Sequence, residues 1–147
     1  MSAEPKINSN QMFEVIPNPP NGFDYLVNVN GFTDIDFYLK PGLLINEAKE
    51  KERRICAVGT TVVKALESSL YPNGKIKPFD GWTNRFIFPP HQVTSTDALI
   101  TNFHPSESPM LMIAAAFGGY DFVMKAYKEA IKEKYRFYSY GDAMLII

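Results

Sequence analysis

The sequence predicts an α/β fold: a mixed, largely parallel sheet flanked by helices, with a small N-terminal β-hairpin region. Three observations predict it. The run "ICAV" at 55–58 is continuously apolar, as a strand covered on both faces must be, and parallel strands are covered that way. A helical pattern, "TTVVKALESSL", begins directly after Gly59. From residue 41 onward, short apolar runs alternate with helix-length amphipathic stretches, the order that builds parallel sheets.

The elements follow in chain order. Residues 1–11 are polar and read as a loose N-terminus. "QMFEVI" and "FDYLVNVNGF" carry the aromatic and β-branched content of strands, and "PNPPNG" between them and Asn30-Gly31 after them are turn signals. "PGLLINEAKEKE" reads as a helix starting at Pro41, on the helical spacing of Leu43, Leu44 and Ala48. "RRICAVG" is a buried strand, and "TTVVKALESSL" is a helix with Val62, Leu66 and Ser69 on one face. "YPNGKIKPFDG" reads as a loop, "WTNRFIF" as a strand stopped by Pro89-Pro90, and "DALITNF" as another strand. "SPMLMIAAAFGG" is a helix with Ser108 as N-cap, Pro109 at the first helical position and Gly118-Gly119 at its end. "YDFVMKAYKEAIKEKY" is an amphipathic helix expected to turn Phe122, Val123, Ala126, Tyr127 and Ala130 inward. "AMLII" is a terminal strand after the aromatic loop "RFYSYGD". Trp82, Phe86 and Phe88 are expected to pack. The organisation expected is a single α/β domain over 12–147, β-rich to residue 40 and alternating from 41.

Composition bounds the function. The chain has 147 residues, 46% hydrophobic and 21% charged, the make-up of a globular domain with a real core. A net charge of −1 excludes a wholly basic nucleic-acid arm, so contact with RNA needs a local patch. The single cysteine, Cys56, excludes an internal disulfide and a multi-cysteine metal site, and its place in an apolar run marks it as core. No run reaches the ~18 apolar residues of a membrane span, and the polar N-terminus lacks a signal-peptide pattern. The cytoplasm is the default.

The corner at 59–61 is the first candidate site. A strand that turns through glycine into a helix leaves unpaired N–H groups at a positively polarised end. Gly59 lets a ligand approach the backbone, and Thr60 and Thr61 add hydroxyls, so a carboxylate or phosphate suits the corner. The alternative is a plain helix cap. The corner matches neither the phosphate-loop nor the dinucleotide pattern.

Three segments, in order, carry a resemblance: "AVGTTVVKALES", "DALITNFHPSESPMLMIAAAFGG" and "AYKEAIKEKYRFYSYGDAMLI". Over residues 43–147 the chain resembles the C-terminal part of the S-adenosylmethionine:tRNA ribosyltransferase-isomerase family of queuosine biosynthesis. The resemblance implies transfer and isomerisation of the ribosyl part of S-adenosylmethionine onto 7-aminomethyl-7-deazaguanine in the tRNA anticodon. Adenine and methionine leave, and the product is epoxyqueuosine. S-adenosylmethionine is then the co-substrate, no metal is expected, and the tRNA anticodon region is the partner. The family is longer, with an N-terminal half and an inserted β-barrel, so the resemblance implies a fragment that completes its site with those portions and is inactive alone. Lys64 stands where the family has Arg, Glu107 where a basic residue is usual, and the family's upstream histidine segment has no counterpart in "TDIDFYL". These departures favour the alternative, a diverged non-catalytic ligand-binding or assembly domain.

The residue candidates follow. His104, Asp97 and Asp142 are candidates for moving protons or holding sugar hydroxyls. Asn102 and Thr101 share the "TNFH" corner and could hydrogen-bond a ribose or a base edge. Lys64 could reach a carboxylate or phosphate, and Glu67 is either a substrate contact or a solvated partner of Lys64. Arg136 could hold an anion. Tyr135, Tyr138 and Tyr140 could face the sulfonium cation or stack on a base. The lysines of the last helix, Lys125, Lys128, Lys132 and Lys134, read as a solvated face.

Overall fold

The computed structural model describes residues 13–17, 25–29, 35–37, 39–81 and 83–147. The expected loose segment 1–11, the turns at 18–22 and 30–31, and Trp82 lie outside the described residues.

Five strands form the main sheet in the order β1-β2-β4-β6-β7. They are β1 (Phe13–Pro17), β2 (Tyr25–Val29), β4 (Ile55–Val58), β6 (Ala98–Asn102) and β7 (Ala143–Ile146). β2, β4 and β6 run parallel, while β1 and β7 are antiparallel edges. The α/β class is as expected, and the sheet is parallel only at its centre. A second, two-stranded sheet pairs β3 (Ile35–Phe37) with β5 (Phe79–Gly81). Among the described residues, four helices join the strands: α1 (Leu39–Glu50), α2 (Thr60–Ser68), α3 (Pro109–Gly118) and α4 (Tyr120–Lys132).

The central strand β4 is as apolar as its position demands. Ile55, Cys56 and Ala57 are all fully buried. Ile55, Ala57 and Leu99 join the main core with Leu66 of α2, Ile113 of α3 and Tyr127 of α4. Cys56 and Ala98 point to the other face, packed with Ile100. Burial pushes the Cys56 thiol up to about 11, which leaves it protonated and inert at neutral pH.

Local chemistry sets the helix ends. Ser108 caps α3, its hydroxyl accepting the Leu111 N–H, with Pro109 at the first helical position. Gly119, at φ 82°, ends α3 and starts α4, a backbone conformation open mainly to glycine. Gly118 is tightly enclosed: an added Cβ would lie 2.8 Å from Ile146 and 2.9 Å from Val123.

Four local expectations are corrected. α1 starts at Leu39, which leaves Pro41 in the first turn, where a missing N–H costs nothing. It buries Ile45 and Ala48, whereas Leu43 and Leu44 are exposed. "WTNRFIF" forms no strand over 83–88; β4 and β6 are already paired on both sides, and the run is held instead by Arg85, which donates to the Glu67 carbonyl at 2.9 Å. Ile87 is buried, while Phe86 and Phe88 are exposed and meet each other outside the core, ring centroids 5.3 Å apart. On α4 the buried residues are Val123, Tyr127 and Ala130, while Phe122 and Ala126 face outward.

The register positions the site. Val58 pairs with Ile100, and Asn102 pairs with Ala143. The C-terminal ends of β4 and β6 and the N-terminal end of β7 therefore meet at one edge of the sheet.

Candidate functional site

At that edge lies an open depression of about 240 Å³. Gly59, Thr61 and Val62 line it from the α2 corner, Thr101 and Asn102 from the end of β6, and Ala143 from the start of β7. Open α/β sheets place ligands at this kind of position.

The corner at Gly59 is built from backbone. Gly59 is the N-cap of α2 at φ 94° and makes no side-chain cap bond. Its own N–H donates to the Ile100 carbonyl at 2.7 Å, and the Val62 N–H donates back to the Gly59 carbonyl at 3.2 Å. The Thr60 and Thr61 amides stand in the first turn of α2, where no carbonyl of the helix can accept them. They are the donors that an anion at the mouth of α2 would meet. Thr60 is the first helical residue and is buried, so it does not act as the cap. Lys64 follows one turn later, half-buried.

The "TNFH" corner is held from several sides. The buried Thr101 hydroxyl lies 2.7 Å from His104 Nε2. The His104 N–H donates to the Tyr127 hydroxyl at 2.8 Å. Burial holds His104 below the usual histidine range, so the ring is neutral near pH 7 and able to accept a proton. Burial also raises the Tyr127 phenol, keeping it protonated. Asn102 Nδ2 lies 3.4 Å from both the Gly141 and the Asp142 carbonyls.

The tail loop abuts this corner without lining the depression with its aromatic rings. Arg136 and Asp142 bond to each other, Nη2 to Oδ1 at 2.8 Å and the Arg136 N–H to Oδ2 at 2.8 Å. The Arg136 side chain holds the Asp142 carboxyl below the usual range. Tyr135, Tyr138 and Tyr140 are exposed, Tyr140 at 97%. Tyr135 leans its edge on Phe103, which also packs against Tyr127 and Phe137.

Two candidates lie elsewhere. Asp97 precedes β6, about 16 Å from Asn102 at ~3.3 Å per strand residue. Its Oδ2 accepts the Ile55 N–H at 2.7 Å and so caps the start of β4. Glu67 is neither solvated nor paired with Lys64. It is 1% exposed, and its Oε1 accepts the Thr94 and Ser95 N–H groups, each at 2.9 Å. Its Oε2 lies 2.8 Å from His91 Nε2. Burial pushes the Glu67 carboxyl up, but these hydrogen bonds outweigh it and hold the group below its ordinary value. Arg85 adds a bond to the Glu67 carbonyl at 2.9 Å. Glu67 therefore anchors the irregular 83–96 segment at the far end of α2. Sequence reasoning missed the Tyr127 hydroxyl and Ala143 as parts of the site; no local pattern marks either one.

Comparisons with known proteins bear on the same segments. A family model described as queuosine biosynthesis protein matches residues 42–146. The S-adenosylmethionine:tRNA ribosyltransferase-isomerase of Flavobacterium psychrophilum is 57% identical over 104 residues, which are 71% of this chain and 30% of that protein. The protein of the same name from Chloroherpeton thalassium is 50% identical over 117 residues, 77% of this chain and 34% of its own length. A crystal structure of S-adenosylmethionine tRNA ribosyltransferase from Thermotoga maritima superimposes with a TM-score of 0.65 at 50% identity, covering 70% of this chain and 36% of that one. The chain thus spans about 30% of the length of curated relatives that it matches.

Proposed function

Because this chain belongs to the queuosine biosynthesis protein family, we propose that it supplies one wall of a site that binds S-adenosylmethionine and a tRNA base. The reaction in this reading is that of a tRNA ribosyltransferase-isomerase. The aminomethyl nitrogen of a 7-aminomethyl-7-deazaguanine in the anticodon attacks the ribosyl group, adenine and methionine leave, and the sugar isomerises to give epoxyqueuosine.

One observation carries the reading: the depression shared by Gly59, Thr61, Thr101, Asn102 and Ala143. At about 240 Å³ it is smaller than the roughly 300–1,000 Å³ that enclose a drug-sized ligand. It therefore takes one end of S-adenosylmethionine, and the remainder needs another wall. The Thr60 and Thr61 amides suit the methionyl carboxylate, with Lys64 one turn away to add charge. Neutral His104, held by Thr101, takes up the proton that the attacking amine releases. Asn102 keeps its side-chain oxygen for a ribose hydroxyl. The exposed Tyr138 and Tyr140 stand ready to stack on an unpaired base. The contribution is positioning and proton handling, with no covalent nucleophile.

A second reading, a non-catalytic assembly domain, draws on the exposed apolar side chains Leu43, Phe122, Ile131 and Ile147, each more than 60% exposed. Calorimetry separates the two. Heat on adding S-adenosylmethionine, and then the anticodon stem-loop, supports the first. No heat from either ligand, in a full-length protein that restores the other wall, supports the second.

A further inference from the structure

Asn102 pairs with Ala143 in the β6–β7 ladder. The Phe103-His104 turn beyond it has no regular partner, yet it is tied down on both sides. On one side the Tyr127 hydroxyl of α4 accepts the His104 N–H at 2.8 Å. On the other, the Phe103 carbonyl accepts the Tyr138 N–H at 2.9 Å, and the Phe103 N–H reaches the Asp142 carbonyl at 3.4 Å. Asn102 Nδ2 meets the carbonyls of Gly141 and Asp142. Every tie on this second side comes from the backbone of loop 136–142. The shape of that loop therefore decides where the turn sits.

The loop in turn is closed by one ion pair. Asp142 takes the Arg136 N–H on Oδ2 and the guanidinium on Oδ1, both at 2.8 Å. The Asp142 N–H returns to the Arg136 carbonyl at 2.8 Å, and the Gly141 N–H bonds the Tyr138 carbonyl at 3.0 Å. The closure is tight: a Cβ on Gly141 would collide with the carbonyl groups of Arg136 and Phe137. Tyr138 accepts a φ of 70° within it, a conformation that is strained for a non-glycine residue. Both carboxylate oxygens of Asp142 accept from Arg136, so the Asp142 carboxylate is committed to closing the loop.

We infer that the Arg136–Asp142 pair and the Tyr127 hydroxyl are positioning residues that set the His104 imidazole, acting through loop 136–142 and α4 and not by touching substrate. The inference rests on the reading that His104 belongs to the working site. An imidazole that moves a proton must sit within roughly 2.6–3.2 Å of its partner, and an error of ~1 Å costs about a hundredfold in rate. A turn with no ladder of its own needs such a latch.

The chain has two histidines, His104 and His91, and His91 lies at the Glu67 end, so it serves as an internal reference. Burial is the cause of the His104 shift, which makes its titration midpoint a gauge of how the turn is packed. The experiment is NMR of the whole chain with labelled histidine, comparing wild type with Asp142→Asn and Tyr127→Phe. Glu129→Gln is the control, because it breaks only an exposed pair with Lys132. In both test variants the His104 midpoint rises toward the ordinary histidine value, while the His91 ring signals at fixed pH keep their wild-type positions. In Tyr127→Phe the His104 amide exchanges about tenfold faster, as loss of one hydrogen bond allows. Arg136→Lys, which keeps the charge and loses the fork, gives a smaller rise. Unchanged His104 midpoint and amide protection in folded variants would overturn the proposal. So would an equal movement of His91, which would mean general loosening. Failure of S-adenosylmethionine to bind wild type would remove the functional reading and leave this result on the turn intact.

Discussion

Replacing Glu67 by alanine tests the anchor at the far end of α2. The carboxylate is 1% exposed and holds three groups from a segment 24 to 28 residues away. In Glu67→Ala the Ser95 N–H stays buried without an acceptor, at about 1–3 kcal/mol. The Thr94 N–H and His91 are more exposed and regain water, so each loses only the surplus of a charge-assisted bond, about 1 kcal/mol. The side-chain void adds to this, and relief from burying a charge subtracts from it. The net loss is about 3 kcal/mol. At a urea slope of ~2 kcal/mol/M, the unfolding midpoint drops by about 1.5 M. Glu67→Gln keeps the volume and one acceptor and costs about a third as much. The sign with pH follows from the depressed folded-state value. Glu67's contribution is complete above its ordinary value of 4.5 and is lost as pH falls through the folded value. The gap between wild type and Glu67→Ala therefore narrows in acid. An urea midpoint for Glu67→Ala within about 0.2 M of wild type would refute the anchor.

Three further predictions follow from single environments. Gly59→Ala meets no neighbour within 4 Å but must hold φ 94° and ψ 145°, an extended positive-φ conformation nearly confined to glycine, so it costs about 1–3 kcal/mol through the backbone alone, and thermal unfolding checks it. His104 has a depressed folded value, so its share of stability is in place above the ordinary 6.5 and is lost as pH falls below it; melting temperatures from pH 7 to 5 fall less steeply in His104→Gln. Cys56 is fully buried with its thiol pushed up to about 11, so a thiol reagent reacts in native buffer at the rate of unfolding and at once in urea.

Much of the fold is legible where local and tertiary demands coincide. "ICAV" reads as β4 because a strand between two neighbours must be apolar throughout, and Gly59 marks its end because a φ of 94° excludes most other residues. Ser108-Pro109 marks α3 because cap and first-turn chemistry are local. Glu67 is not legible: its three partners come from an irregular stretch that no periodicity joins to α2. Phe86 and Phe88 read as strand residues because propensity ignores tertiary contacts such as the Arg85 bond to the Glu67 carbonyl. Phe122 fits the inward face by composition, yet α4 turns Val123 and Tyr127 to the core, one position round. The pairing of Asn102 with Ala143 that builds the depression depends on register, which the sequence leaves implicit.

The central claim is that the corner at 59–61 and the end of β6 bind one ligand together with the start of β7. Amide NMR of the chain titrated with S-adenosylmethionine tests it most directly. The account predicts shifts at Gly59, Thr60, Thr61, Thr101, Asn102 and Ala143, with Asp97 and the Glu67–His91 anchor silent. Shifts confined to that anchor, or to the 59–61 corner without the β6 end, would contradict it.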